Sequence, residues 1–176
     1  AGLGWYGMTT ARQVNGTLQH GDVTMGMTYA MEFPRLTPGT YVYSVTQGAA
    51  VQRTSPFQFV ANGEAVHVLL RKDGGTVTGS VGTDSGTAAP LAFVVLAPKD
   101  RQDTLRFRTV TAGKDGAFSL TAVAPGNYDV FAFSRDDEGW YQDEAYLRRY
   151  STRSEAVEVQ ANGSVAAQPK LIGLAP

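Results

Sequence analysis

An internal repeat narrows the possible folds of this 176-residue chain more than anything else in its sequence. Residues 33–42 (FPRLTPGTYV) resemble residues 118–130 (FSLTAVAPGNYDV). Both begin at an aromatic strand end and continue through a Pro-Gly step to a tyrosine that opens the next strand. Proline fixes φ and glycine permits positive φ, so Pro-Gly favours a tight reversal between two strands. The repeat predicts that one strand-turn-strand unit occurs twice.

Two further pairs of similar segments occur, and the three pairs have the same order in both copies. Residues 57–63 (FQFVANG) parallel residues 157–163 (VEVQANG), and each is an alternating strand that ends in Ala-Asn-Gly. A weaker similarity pairs residues 14–18 (VNGTL) with residues 77–81 (VTGSV). Three similarities in one order predict two copies of one β module.

A polar, glycine-rich step separates the two copies. Residues 72–75 (KDGG) follow a predicted strand over Ala65–Arg71 and precede a predicted strand over Thr76–Val81. A linker of this length is too short for free domain motion. The sequence therefore predicts a first, incomplete domain over residues 1–73 and a second domain over residues 74–176.

The two copies differ in length. The stretch from Gly79 to Phe118 covers 39 positions, whereas the stretch from Gly16 to Phe33 covers only 17. The first copy therefore lacks the residues for roughly two strands of about 5–6 residues each. An incomplete sandwich exposes apolar faces and strand edges, which recruit a strand from elsewhere. The candidate donors are residues 3–10, another part of the chain and another molecule; the alternative is that the chain is a piece of a longer tandem array.

Regularly spaced short strands, typical of a β-sandwich, fill the second copy. Twenty glycines and eight prolines among many Val, Thr, Tyr and Phe residues favour strands and tight turns over helices. The strands predicted after Val81 are Ala92–Ala97, Arg106–Ala112, Gly116–Thr121, Tyr128–Ser134, Ser154–Val159 and Ser164–Ile172.

One segment of the second copy has helical spacing. A short helix is predicted near Glu144 to Tyr150, with Asp143 as its capping residue. Tyr146 and Tyr150 are four residues apart and share one face of that helix. This face either packs on the edge of the sandwich, where it covers unpaired strand groups, or forms an aromatic contact surface.

Charge and composition exclude several classes of function. Fifteen basic and sixteen acidic residues leave a net charge of −1, which gives no footprint for nucleic acid or for an anionic membrane. No apolar run approaches the roughly 18 residues of a membrane span. Without cysteine, the chain has no disulfide, thiolate zinc site or cysteine nucleophile.

The search for catalytic or metal-binding motifs gives little. His67 alternates with Val66 and Val68 on a predicted strand, which favours a solvent-facing side chain over a metal ligand. No phosphate loop, His-Glu-x-x-His or Gly-x-Ser-x-Gly motif is present, although a triad assembled in space stays open. The acidic run 136–138, with Asp143 and Glu144, favours a solvated loop over a calcium site. No cofactor and no metal are predicted.

Two Asn-Gly dipeptides allow two interpretations. Asn15-Gly16-Thr17 and Asn162-Gly163-Ser164 match glycosylation acceptors, but Asn-Gly is first of all a turn dipeptide. Asp115-Gly116 is likewise predicted to form a hairpin turn that reverses the chain between its flanking strands. We therefore expect all three to mark turns.

The second copy resembles a known family. Its succession of residues 75–81 (GTVTGSV), 89–96 (APLAFVVL), 108–111 (RTVT), 115–120 (DGAFSL) and 123–128 (VAPGNY) is similar to the carboxypeptidase regulatory-like domains, a prealbumin-like (transthyretin-like) β-sandwich family. The tail, with residues 140–143 (WYQD) and 146–150 (YLRRY), resembles the last domain of large tandem secreted proteins of environmental bacteria. The resemblance covers residues 74–173 well and the first copy only in part.

This sequence departs from the family pattern at two places. Thr111 is followed by Ala112 where the family commonly has Thr-Asp, and the usual Gly-x-Pro-Leu is replaced by residues 88–91 (AAPL). The family has no catalytic residues to carry over. The resemblance implies two tandem prealbumin-like or Ig-like β-sandwich domains. With the helix predicted above, the expected fold is an all-β chain with one short helix in the second domain. The resemblance also implies an accessory module for surface display, adhesion, glycan or protein contact, or rigid spacing of other domains.

The leading functional hypothesis is a non-enzymatic extracellular or cell-surface structural module; a periplasmic location is also open. Within that class the incomplete first copy favours a self-assembling fibre subunit, in which one chain's strand completes the next chain's first domain. The expected partners are copies of the chain itself or other cell-surface proteins, with no nucleic acid.

The alternative hypothesis is a carbohydrate-binding or adhesion module of a larger secreted protein. Aromatic side chains supply the platforms for glycans, and Trp140 is the best candidate because acidic residues and Gly139 flank it. The predicted contact residues for a ligand or partner are Trp5, Tyr6, Trp140, Tyr141, Tyr146 and Tyr150.

Overall fold

The structure, a computed structural model, describes residues 12–13, 28–31, 39–53, 57–60, 64–135 and 140–173. This part of the chain is almost entirely β-sheet and contains a single short α-helix. The prediction of an all-β chain with one short helix in its second half is therefore confirmed. Within the described ranges, no helix is long and apolar enough to cross a membrane.

The second half is a sandwich of two sheets. Its smaller sheet has the strand order β10-β7-β13, with β10 antiparallel and β13 parallel to the central strand. The bounds of these strands are Gly75–Ser80 for β7, Ala117–Val123 for β10 and Ser164–Ala167 for β13.

The larger sheet of the sandwich has five strands in the order β12-β11-β8-β9, with β14 parallel to β11. The bounds are Phe93–Pro98 for β8, Arg108–Thr111 for β9, Gly126–Phe133 for β11, Glu155–Val159 for β12 and Leu171–Ile172 for β14. A single turn of 3-10 helix over Thr104–Arg106 precedes β9.

Both faces of the five-stranded sheet are buried. All six residues of β8 and the last six of β11, the two central strands, are buried. Alternate residues, such as Leu96 and Val130, point into the core between the two sheets, while their neighbours, such as Val95 and Phe131, point to the outer side. This explains why β8 and the second half of β11, residues 130–133 (VFAF), are continuous apolar runs in the sequence.

The predicted strand Ser164–Ile172 is wrong in one respect, because it is two strands that belong to different sheets. β13 pairs with β7, and β14 pairs with β11. Pro169 lies between them and has no N–H with which to continue a ladder. The chain is held at this crossing by Gly82, whose N–H donates to the Pro169 carbonyl at 3.2 Å and whose carbonyl accepts from the Leu171 N–H at 2.8 Å.

The Pro125-Gly126 step also differs from its prediction. It joins β10 to β11, which lie in different sheets, so the step is a crossing between sheets and not a hairpin reversal. Tyr128, 1% exposed, fixes this crossing because its hydroxyl donates to the Ala124 carbonyl at 2.7 Å. The order of residues that the repeat shares therefore marks, in the second copy, a corner where the chain crosses between the two sheets.

Two of the predicted turns are confirmed. At the second Asn-Gly dipeptide, the Gly163 N–H donates to the Gln160 carbonyl at 2.9 Å and Asn162 has a φ of +55°. At Asp115-Gly116, the Asp115 carboxylate accepts from the Ala117 N–H at 3.0 Å, so a turn is present, but β9 and β10 lie in different sheets and the predicted hairpin is wrong. Asn15 lies outside the described residues.

The described residues of the first half form two further three-stranded sheets. One has the order β1-β2-β5 and the other the order β4-β3-β6, all antiparallel. The bounds are Arg12–Gln13 for β1, Thr28–Met31 for β2, Tyr41–Gln47 for β3, Ala50–Gln52 for β4, Phe57–Val60 for β5 and Val66–Arg71 for β6. We call the β4-β3-β6 sheet the open sheet.

Several contacts join the open sheet to the second half. The Arg53 guanidinium pairs with Asp100 of the second half at 2.7 Å, and the Tyr41 hydroxyl donates at 2.8 Å to Asp73 in the step between the copies. Gly74 is tightly enclosed, since a Cβ there would lie 2.8 Å from the Ala122 Cα. The step between the copies is therefore packed. The division into domains at residue 73 stays a prediction.

Candidate functional site

The outer side of the five-stranded sheet carries a second apolar core, which we call the outer layer. Its buried members come from β8, β11 and the segments that cover them: Phe93, Val95, Ala97, Phe107, Phe131, Phe133, Leu147 and Ile172. Three half-buried tyrosines, Tyr141, Tyr146 and Tyr150, pack against this set. The sandwich thus has a third layer that the sheet alone does not provide.

The helix α1, Glu144–Arg148, covers the outer layer, and its start is fixed by a capping residue. The Asp143 carboxylate accepts from the Tyr146 N–H at 2.9 Å, which confirms the predicted cap. Glu144 and Arg148 form an exposed ion pair of 3.0 Å one turn apart. The sequence of this segment therefore specifies a helix locally, and Leu147, 1% exposed, anchors it on the sheet.

Three of the predicted contact residues, Tyr141, Tyr146 and Tyr150, pack against aromatic side chains of this chain. The ring centroids of Tyr146 and Tyr150 lie 5.3 Å apart, and each lies within 6 Å of the Phe133 ring centroid, at 5.8 and 5.5 Å. Tyr141 makes a similar contact with Phe93 at 5.7 Å. The helix therefore packs on the face of the sheet and not on its edge, because β8 and β11 present aromatic residues there.

Trp140 differs from these tyrosines because its side chain is 58% exposed. It opens a 3-10 turn, Trp140–Gln142, and its carbonyl accepts from the Asp143 N–H at 2.9 Å. This turn fixes the backbone at Trp140, while the indole faces solvent. Trp5 and Tyr6 lie outside the described residues, and their role stays a prediction.

The open sheet carries a second exposed apolar surface, which the list of predicted contact residues does not include. Val51 is 62% exposed, Leu69 50% and Tyr43 37%. Side chains that are directly paired in antiparallel strands share a face. Thr46 pairs with Val51 on one side and His67 on the other, and Leu69 follows two residues after His67, so these residues lie on one face.

The other face of the open sheet is covered only in part. Val45 is 1% exposed and pairs with Val68 and Gln52, both half-buried. Leu70, on the same face as Val68, is 43% exposed, so this face is buried around Val45 and opens towards the end of β6. Tyr43, where the register shifts between β3 and β6, is partly covered by the Arg71 guanidinium at 3.8 Å from its ring centroid.

A charged cluster lies at the end of β8, beside the outer layer. Asp129, 6% exposed, pairs with Lys99 at 2.6 Å and with Arg101 at 2.5 Å. Arg101 also donates to the carbonyls of Ala97 and Pro98. The buried carboxylate is thus neutralised by two cations, which is what a stable buried charge requires. A cleft of about 500 Å³ adjoins the cluster, lined by Lys99, Asn127, Tyr128, Ala156, Val157 and Glu158.

The remaining sequence predictions concern histidine and metal. His67 is exposed on β6, as its alternation predicted. The acidic run 136–138 lies outside the described residues. Across the ranges that the structure describes, no three His, Cys, Asp or Glu side chains lie together in a way that could hold a metal ion.

The sequence analysis did not identify Tyr43, Val51 and Leu69 of the open sheet as candidate contact residues. The signal was nevertheless present. The shortage of residues in the first copy predicted an exposed apolar face, and the sequence of β6 (VHVLLR) has two adjacent leucines that cannot both point into one core.

Comparisons with known proteins give the following. No family model matches the sequence, and no curated protein matches it. Solved structures give weak matches. A DUF3823 family protein from Parabacteroides merdae is 21% identical, with a TM-score of 0.35 over 55% of this chain and 45% of that one. The 5-hydroxyisourate hydrolase of Klebsiella pneumoniae is 18% identical, with a TM-score of 0.33 over 56% of this chain and 90% of that one.

Surface proteins are also among the matching structures. A streptococcal ancillary pilin is 14% identical, with a TM-score of 0.34 over 82% of this chain and 42% of that one. The chain spans less than half of that pilin and of the Parabacteroides protein. At these TM-scores the likenesses carry no argument about function. The second half is a β-sandwich, and its membership of the carboxypeptidase regulatory-like family stays a prediction.

Proposed function

We propose that this protein is a non-enzymatic structural module of an extracellular or cell-surface assembly, and that its first half forms the contact between subunits. The observation that carries the proposal is the exposed face of the open sheet. Val51 and Leu69 share one face of the open sheet and are 62% and 50% exposed, and Tyr43, at the register shift of β3, is 37% exposed. Exposed large apolar side chains gathered on one sheet are a feature of protein contact sites.

Side-chain burial alone does not hold such a contact together. Complete burial of a large apolar side chain stabilises by about 1.5–3 kcal/mol, and these residues are already half-buried. Three of them therefore contribute about 3 kcal/mol, whereas association costs about 4–15 kcal/mol in lost freedom. The contact needs a second contribution, and pairing of main chains between subunits supplies one. The specific form we propose is a fibre in which a strand of one chain completes the first half of the next.

A contact of this kind joins two different surfaces, one that donates and one that accepts. Repeated head-to-tail contacts that do not close into a ring generate a filament. The proposed assembly therefore has an elongated shape as well as a high mass, and both are measurable.

The experiment combines size-exclusion chromatography with light scattering and negative-stain electron microscopy over a range of protein concentrations. The expected result is a concentration-dependent series of species and filaments of regular width. A chain that remains a compact monomer at high concentration would contradict the proposal.

A pair of matched variants locates the contact. Val51→Lys places a charge on the exposed face of β4 and is expected to abolish the larger species. Leu91→Lys is the control, because Leu91 is equally exposed, at 62%, but lies in the second half. Equal effects of both variants would show that the open sheet is not the contact.

A second candidate function is carbohydrate binding, which the exposure of Trp140 favours. The variant Trp5→Phe leaves Trp140 as the only tryptophan, since the chain has two. A glycan that stacks on the indole is expected to change its fluorescence in this variant, and Trp140→Ala is expected to abolish binding by calorimetry. No change with any glycan of a broad panel would argue against this function.

A further inference from the structure

The edge strands of the described sheets differ in how they are protected against pairing with another chain. Natural proteins protect edges with charges, bulges or short strands. β12 carries Glu155 and Glu158, β9 begins with Arg108, and β10 has a register shift at Ala122, whose φ is +54°. β13 has only four residues and β4 only three.

β6 has none of these protections along most of its length. It is six residues long, four of the six are apolar, and its one permanent charge is on its last residue, Arg71. It pairs with β3 on one side, and the described residues place no strand on its other side. A long, regular and apolar edge is the kind that accepts a further strand.

Both sides of this edge are accessible. Leu69 and Leu70 are consecutive and point to opposite faces of the sheet, yet they are 50% and 43% exposed. A strand added at β6 therefore meets an exposed leucine on each face. A suitable partner has apolar side chains on both of its own faces.

We propose that β6 is the edge that accepts a strand in the assembly, and that the added strand is residues 3–10 of a second copy of this chain. The inference rests on the proposed function and names the acceptor and the donor. It is a main-chain contact, so it provides the contribution that the exposed side chains lack.

The donor segment fits the edge in chemistry. Residues 3–10 (LGWYGMTT) contain no charged residue. Trp5 and Tyr6 are consecutive, so in an extended strand they point to opposite faces, as Leu69 and Leu70 do. Each aromatic side chain thus has a leucine to cover on its own face of the sheet.

The donor segment also fits the edge in length. At about 3.3 Å per residue, the six residues of β6 span about 20 Å and an eight-residue segment spans about 26 Å. The segment therefore reaches along the whole of β6. A shorter donor would leave part of the edge unpaired.

Disulfide trapping tests this pairing, because the chain has no cysteine of its own. Two donor variants, Thr9→Cys and Thr10→Cys, place the thiol on opposite faces of the added strand. Each is mixed under mild oxidation with acceptor chains of different mass that carry His67→Cys, Val68→Cys, Leu69→Cys or Leu70→Cys. The expected result is a mixed disulfide that is strongest at one acceptor position and at least fivefold weaker at the others.

The control acceptor is Glu158→Cys, which places an exposed thiol on the edge strand β12. It is expected to give at least tenfold less mixed disulfide than the best β6 position. Equal trapping at β12 would overturn the inference, because it would report random collisions.

Three other results overturn the inference while the proposed function stands. One is assembly without any mixed disulfide to β6. Another is an acceptor chain with Leu69→Cys that crosslinks to itself as efficiently, which would place a second β6 at the edge. The third is a monomer of the double variant Thr9→Cys/Leu69→Cys that closes internally. A chain that never assembles would instead overturn the proposed function.

A measurement on the unaltered protein avoids any doubt about folding of the variants. A synthetic peptide of residues 3–10 is expected to compete with the donor segment and to shorten the assemblies seen by light scattering. A peptide of the same composition in scrambled order is the control. Equal effects of both peptides would overturn the inference.

Discussion

The five-stranded sheet and the open sheet both contain strands with apolar side chains on both faces, but they differ in how far these faces are covered. In the five-stranded sheet, α1 and its flanking turns cover the outer face, so that Phe131 and Phe133 are 1% and 2% exposed. In the open sheet, the corresponding face leaves Val51 and Leu69 at least half exposed. Among the described residues, the difference lies in whether a segment covers the second face of the sheet, as α1 does for the five-stranded sheet.

The difference is visible in the composition of the strands. β8 (FVVLAP) places apolar side chains on both faces and has a cover for each. β6 (VHVLLR) alternates for three residues and then places adjacent leucines on opposite faces. A strand that is apolar on both faces needs two covers, and a strand with one cover exposes the rest.

Removal of one leucine from each sheet gives the largest expected difference. Leu96→Ala, at a fully buried position, is expected to lower the free energy of unfolding by about 2–5 kcal/mol. Leu69→Ala, at a half-exposed position, is expected to change it by less than about 0.5 kcal/mol in the monomer. Urea denaturation measures both. Similar losses would show that the exposed face of the open sheet is in fact covered.

The two tyrosines that the repeat places in equivalent positions sharpen the comparison. Burial raises the pKa of Tyr41 to about 12, with a further contribution from its hydrogen bond to Asp73. Tyr41→Phe is expected to cost about 1.5 kcal/mol near neutral pH through loss of that bond. Equilibrium unfolding measures the loss, with Tyr43→Phe, at an exposed ring, as the control.

The pH dependence of Tyr41 has a definite sign. Its pKa is higher in the folded state than the ordinary value of 10.0, so its contribution to stability is complete below pH 10 and is lost as the pH rises towards 12. Tyr41→Phe is therefore expected to flatten the fall in stability between pH 10 and 12. Burial also raises the pKa of Tyr128, so part of the fall is expected to remain. An unchanged slope in the variant would contradict the assignment.

Loss of the helix cap is expected to be a smaller effect. Asp143→Ala removes the acceptor of the Tyr146 N–H and is expected to cost about 1 kcal/mol. Glu144→Ala, which removes only an exposed ion pair, is expected to cost less than about 0.5 kcal/mol and serves as the control. Both are read from urea midpoints. A larger loss in the control than in the cap variant would show that the cap does not hold the cover on the outer layer.

The weakest expected effect is at the contact between the two halves. The pair Arg53–Asp100 is exposed on both sides, at 58% and 54%, so a double-mutant cycle with alanine is expected to give a coupling below about 1 kcal/mol. The coupling is expected to fall further in high salt. A coupling above about 2 kcal/mol would mean that the two halves unfold as one unit held by this pair.

Local features of the fold could be predicted from the sequence. The alternation of strands, the Asn162-Gly163 turn and the Asp143 cap each depend on residues within a few positions of one another. The cap is found because a short polar side chain precedes a helical stretch. The exposed position of His67 follows from simple alternation with Val66 and Val68.

Pairing between distant strands could not be predicted in the same way. The repeat records turns and buried tyrosines, and both Tyr41 and Tyr128 are 1% exposed. Their partners nevertheless differ, since Tyr41 donates to a carboxylate beyond β6 and Tyr128 to a carbonyl four residues away. β3 pairs with β6, whereas β11 pairs with three strands that include β8. Sequence similarity fixes the local corner, but the choice of neighbours depends on the whole chain.

The candidate contact residues divide in the same manner. The spacing of Tyr146 and Tyr150 correctly placed them on one helix face, but it could not say which surface that face meets. The exposure of Trp140 depends on the 3-10 turn that it opens, which has no strong sequence signal. The exposed face of the open sheet could be predicted only in general terms, because the first copy has too few residues to complete a sandwich.

The crossing at Pro169 has a consequence for the order of events during synthesis. β7 and β11 leave the ribosome well before residues 164–172, which contribute a strand to each of the two sheets. Until those residues emerge, the side of β7 that later takes β13 and the side of β11 that later takes β14 have no partner in this sandwich. During this interval of translation, one side of each of these two strands therefore stays available for pairing with another strand.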